Sequence, residues 1–148
     1  MSILFYNSKI RVFFILVLIS FFFFTCKKDD EVVPYAPVNF YKNLSDPQLF
    51  PLLVVGGHVE FTGGVKGIIL YRKTNSDIQA FDRLCTYKTE DRCQVAFEAD
   101  DMSVKCSCCE SVFLLPADGD RTTGPASAPL KQYQVDFNES SGSIHVYN

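Results

Sequence analysis

Lys105-Cys-Ser-Cys-Cys-Glu-Ser-Val-Phe113 puts three of the chain's six cysteines into four positions, directly ahead of an apolar run. Cys106-x-x-Cys109 has the spacing at which two thiolates share one metal ion. A second cysteine, Cys85, closes the apolar stretch Ala80-Phe-Asp-Arg-Leu84, so two strand-end loops each deliver cysteines and together can supply a four-ligand site. The same sulfurs could instead close as disulfides, and the compartment bears on that choice.

The N-terminus speaks to the compartment. Lys9 and Arg11 precede Val12–Thr25, an uncharged run of about fourteen residues that is apolar all round. That is short for a membrane span and fits the hydrophobic part of a secretory signal. The run ends at Phe24-Thr25-Cys26 and is followed by Lys27-Lys28-Asp29-Asp30-Glu31. This resembles the processing site of a bacterial lipoprotein, with residues 1–25 removed, Cys26 acylated and residues 26–37 a charged, proline-containing tether. The expected location is the cell envelope, anchored by lipid in the outer membrane.

Processing there leaves 123 of the 148 residues, enough for one domain over 38–148, and takes the formal charge from −3 to −5 because two cations and no acid are lost. A mildly acidic chain without a basic cluster gives no reason to expect nucleic-acid binding. With Cys26 assigned to lipid, five cysteines remain: Cys85, Cys93, Cys106, Cys108 and Cys109. An odd number cannot pair completely within one chain, so a thiol stays free or some sulfurs bind metal.

From residue 38 onward, short β-branched and aromatic runs alternate with Gly and Pro breaks, the pattern of an all-β domain of many short strands. Strands are expected at Val38–Tyr41, Leu49–Val55, His58–Phe61, Gly67–Arg72, Ile78–Asp82, Gln94–Ala99, Ser103–Lys105, Val112–Leu115, Gln132–Phe137 and Ser143–Tyr147. Pro116 to Pro129 reads as a loop. Phe81, Phe97 and Phe113 are core candidates, and His58 and His145 read as polar strand positions.

Taken in order, Ala80-Phe-Asp-Arg-Leu-Cys-Thr-Tyr87, Lys105-Cys-Ser-Cys-Cys-Glu-Ser-Val-Phe113 and Thr123-Gly-Pro-Ala-Ser-Ala-Pro-Leu130 resemble the Rieske iron–sulfur domain. Its first loop reads C-x-H, its second C-x-C-H-G-S-x-F or C-x-x-H-G, and a Gly-Pro-Ala segment covers the cluster. The resemblance spans roughly residues 50–147. It implies an all-β fold of stacked antiparallel sheets with a metal-binding loop subdomain, and a [2Fe–2S] cofactor.

The ligands implied by position are Cys85, Tyr87 where a histidine is expected, Cys106, and Cys109 where the second histidine is expected. Cys108 matches the second-loop disulfide cysteine, with Cys93 its partner, and Cys93 is also a possible fourth metal ligand. Glu110 stands in place of a glycine. Replacing two imidazoles by phenolate and thiolate puts more negative charge on a cluster and lowers its potential.

Two functions therefore compete. One is lipid-anchored electron transfer to a redox partner protein through a [2Fe–2S] cluster. The other is a structural or binding module whose loops are held by zinc or by disulfides, with no cluster. A thiol–disulfide exchanger is disfavoured, because the segment after Cys109 reads as a strand and not as the helix that lowers a catalytic cysteine's pKa. No catalytic residue is assigned.

Overall fold

The computed structural model describes residues 33–148; the expected signal segment, Cys26 and most of the tether lie outside the described residues. Among the described residues there are ten strands: β1 (Asn39–Asn43), β2 (His58–Phe61), β3 (Ile68–Arg72), β4 (Ile78–Asp82), β5 (Val95–Phe97), β6 (Ser103–Cys106), β7 (Val112–Leu114), β8 (Asp120–Thr123), β9 (Gln132–Asn138) and β10 (Ser143–Tyr147). They form a six-stranded sheet in the order β1-β10-β9-β4-β3-β2 and a four-stranded sheet in the order β5-β6-β7-β8. All pairings are antiparallel. No helix among the described residues is long and apolar enough to cross a membrane.

The larger sheet curls until its edge strands approach. Phe40 on β1 and Phe61 on β2 have ring centroids 6.0 Å apart, and Lys42 sits 4.9 Å over the Phe61 ring. Inside the curl, Ile68, Leu70, Ile78, Ala80, Tyr133, Ile144 and Val146 make one core. Ile69, Tyr71 and Phe81 point out of the other side of β3 and β4 and meet Val95, Val104, Phe113 and Leu115 to make a second. The β3–β4 hairpin is therefore buried on both faces, and all ten of its residues are buried. Each fully buried aliphatic or aromatic side chain here contributes about 1.5–3 kcal/mol.

Two of the expected elements are corrected. Leu49–Val55 is not a strand: Pro47–Leu53 is a 3₁₀ helix, started by Asp46, whose side chain accepts the Gln48 N–H at 3.0 Å. At three residues per turn, Leu49 and Leu52 share one face, and both are fully buried. The apolar run was real, but its period is three and not two. The expected loop 116–129 contains β8, whose Asp-Arg-Thr-Thr residues are all exposed. An edge strand that buries nothing carries no alternating pattern.

Candidate metal centre

The second core closes at one end with sulfur. Cys85 follows β4 after the single bridge between Leu84 and Gln94, and its N–H donates to Cys93 O at 2.8 Å. Cys106 ends β6. Its N–H donates to Ser111 O at 2.9 Å, while Glu110 N–H donates back to Cys106 O at 3.0 Å, so residues 106–111 form a tight loop. That loop needs a left-handed residue at position 110, and Glu110 adopts it, with φ +61°. Its carboxylate pairs with Lys105.

The loops bring Cys85, Cys106 and Cys109 together, with all three sulfurs within 4.8 Å of one another. Cys85 Sγ and Cys109 Sγ are 3.6 Å apart. Cys85 and Cys106 are buried and Cys109 half-buried. Cys93 and Cys108 are joined by a disulfide that ties the first loop to the second, so the Cys93 sulfur is not free to ligate in this state.

Burial pushes the Cys85 thiol up strongly, while the Tyr87 backbone N–H, aimed at its sulfur, pulls the other way. Burial also pushes Cys109 up, but hydrogen bonds from the Ser111 side chain and N–H, and from Cys106 and Cys85, outweigh it and hold Cys109 below the ordinary thiol value. Cys109 Sγ lies 3.2 Å from Ser111 Oγ. In the thiol form sulfur donates to the hydroxyl; after ionisation the hydroxyl can turn and donate to sulfur.

A lid segment completes the end. Ala126 N–H donates to Ser111 Oγ at 3.0 Å, and Thr86 Oγ1 donates to Ala128 O at 2.8 Å, so residues 124–128 are fastened to both cysteine loops. Gly124, at φ +91°, lies directly against Ser111.

Tyr87 packs half-buried against the core around the cysteines, with Lys88 Nζ 5.5 Å from its ring centroid. His58 stacks on Phe97 at 3.6 Å, and His145 lies between Tyr41 and Tyr147; neither belongs to a sulfur group. Phe81 and Phe113 are fully buried, and Phe97 packs against the same core.

No protein-family model and no curated protein matches this chain. Among solved structures, the cyanobacterial plasma membrane Rieske protein PetC3 from Synechocystis PCC 6803 superposes with a TM-score of 0.54 at 20% identity, over 75% of this chain and 99% of that one. The fold is Rieske-like. The ferredoxin of carbazole 1,9a-dioxygenase from Nocardioides aromaticivorans IC177 also aligns, at 19% identity and a TM-score of 0.47, over 76% of this chain and 98% of that one.

The donors brought together on this Rieske-like frame are three cysteine sulfurs, and neither His58 nor His145 is among them. Soft thiolates with N–H and O–H groups directed at them fit a thiophilic metal or an iron–sulfur group. Ser111 was not singled out from the sequence, although it stands at the serine of the second-loop motif. Asp82, which fixes the backbone just before Cys85, was also missed; apart from Leu84, its partners lie 16 to 51 residues away along the chain and leave no local signal.

Proposed function

We propose that this chain is an electron-transfer protein of the cell envelope, with an iron–sulfur centre, a [2Fe–2S] cluster, held at the loop ends by Cys85, Cys106 and Cys109. The observation that carries this reading is the convergence of three sulfurs from two loops, with the Tyr87 N–H directed at Cys85 and Ser111 at Cys109. Tyr87 is the candidate fourth donor, by its position two residues after Cys85. Such a centre supplies one-electron transfer, and the surrounding side chains hold it dry, orient it and set its charge. Without histidine the ligand set carries more negative charge, so a low potential is expected and proton-coupled reduction through imidazole is lost.

The redox partner would dock at the loop end. Val33, the first described residue, lines a groove with Thr86, Ala128 and Pro129. Cys26 lies seven residues earlier. If it is acylated, Val33 at the edge of this groove stays within about 25 Å of the bilayer, the reach of seven extended residues.

A second reading has its own observation. The 3.6 Å between Cys85 and Cys109 is close to the edge, about 3.8 Å, of a thiolate tetrahedron around a single zinc ion. On this reading the domain is a stapled scaffold without redox work.

Anaerobic purification followed by iron, zinc and acid-labile sulfide analysis, with the visible spectrum, separates the two. About two irons and two sulfides per chain, with bands that bleach on reduction, are expected. One zinc and no sulfide would overturn electron transfer in favour of the scaffold.

A further inference from the structure

Cys106 belongs to two sulfur groups at once. Its Sγ lies within 4.8 Å of Cys85 and Cys109 on one side, and within 4.8 Å of Cys93 and Cys108 on the other. Four sulfurs therefore surround that of one buried cysteine. The second group cannot ligate as it stands, because Cys93 and Cys108 are bonded to each other.

That bond is the accessible part of the assembly. Cys108 is exposed and Cys93 half-buried, whereas Cys106 is buried. The backbone around it is held by other means. Cys85 N–H donates to Cys93 O at 2.8 Å, Val95 pairs with Cys106 across β5 and β6, and the 106–111 loop closes through Ser111 O and Cys106 O. Cleaving the disulfide frees two sulfurs without removing what places them beside Cys106. The Cα atoms of Cys93 and Cys108 are 6.2 Å apart, wide enough for the sulfurs to move to the edge of a metal tetrahedron, about 3.8 Å.

We propose that reduction of Cys93–Cys108 opens a second soft-metal site, formed by Cys93 and Cys108 with Cys106 as a thiolate bridging to the first. A dithiol reductant supplies two electrons and two protons; the Cys93–Cys108 bond breaks, both sulfurs become thiols, and the reductant leaves as its cyclic disulfide. Binding of a d¹⁰ cation such as Zn²⁺ or Cd²⁺ then displaces the thiol protons to solvent. Sulfur-only donors select such cations over hard ones. The domain would hold one ion when oxidised and two when reduced. This rests on the reading of Cys85, Cys106 and Cys109 as a metal centre.

The test uses Cd²⁺ on the metal-free full chain in detergent, followed by thiolate-to-cadmium ultraviolet absorption and native mass spectrometry, with circular dichroism to confirm the fold. The expected uptake is one ion per chain before dithiol treatment and two after it. Cys108→Ser should take one ion with or without reductant, and Cys93→Ser should do the same, so that failure of one variant to fold does not stop the test. One ion in both redox states, two ions in both serine variants, or loss of the β fold on reduction overturns the second site while leaving the first standing. No uptake in either state overturns the metal centre itself, and the second site with it.

Discussion

Tyr133 Oη donates to Asp82 Oδ2 at 2.7 Å, across fifty-one residues of chain, and both side chains are buried. The same carboxylate accepts the N–H groups of Val65 at 2.6 Å, Lys66 at 3.2 Å and Leu84 at 2.7 Å. Asp82 thus pins the turn before β3, the start of β9 and the residue preceding Cys85. Asp82→Asn leaves N–H groups facing an amide that can satisfy only some of them, and should cost about 2–3 kcal/mol in urea unfolding. Tyr133→Phe, which removes one donor, should cost about 1 kcal/mol.

Burial, followed by the hydrogen bond to Asp82 and its charge, pushes the Tyr133 hydroxyl pKa well above the ordinary tyrosine value. The folded pKa is raised, so the stabilisation is complete below about pH 10, where an unfolded tyrosine ionises, and is lost as pH rises toward the folded value. Stability should fall between about pH 10 and 11 in the parent chain, and fall less steeply in Tyr133→Phe. Equal slopes would show that this tyrosine does not carry the alkaline transition.

Gly124 meets Ser111 so closely that a Cβ there would lie 2.6 Å from Ser111 Oγ and 2.8 Å from its nitrogen, and its φ of +91° is one that side chains rarely adopt. Gly124→Ala must lift the 124–128 segment away from the cysteine loops. A loss of about 1–3 kcal/mol is expected. Faster alkylation of Cys109, measured by mass spectrometry, should accompany it.

At Glu110 the backbone and the side chain pull in opposite directions. The left-handed φ costs about 1 kcal/mol relative to glycine, while the pair with Lys105 is exposed and screened by solvent, so it offsets that strain only in part. Glu110→Gly should be neutral or slightly stabilising by thermal melt. Glu110→Ala keeps the strain and loses the pair, so it should melt below both.

Cys93 and Cys108 close a loop with a sequence separation of 15. Replacing both by serine should cost about 3 kcal/mol, mostly through a freer unfolded chain. A folded double variant with reduced stability would agree with the backbone contacts that hold the loops independently of the bond.

Most of the strands were legible because β3, β4, β9 and β10 carry β-branched and aromatic residues between glycine or polar turns. The 3₁₀ helix was misread because Leu49-Phe-Pro-Leu-Leu-Val-Val55 is apolar nearly throughout, and a run without polar punctuation does not reveal its period. β8 was silent because nothing in it is buried. At the candidate metal centre, the loop cysteines were visible as residues, but their mutual distances were not. The convergence of Cys85 with Cys109 depends on how the four-stranded sheet sits against β3 and β4, which no local pattern encodes.

The doubly buried hairpin β3–β4 has a mechanical consequence. It is a wall shared by two rooms: Ile68, Leu70, Ile78 and Ala80 face one, and Ile69, Tyr71 and Phe81 face the other, in the same core as Cys85 and Cys106. Tyr87, Cys108, Cys109 and Glu110 hang on loops in front of that wall and contribute nothing to the inner room. A change at exposed Glu110 swaps a fitting, whereas trimming Leu70 or Ala80 disturbs the masonry behind it.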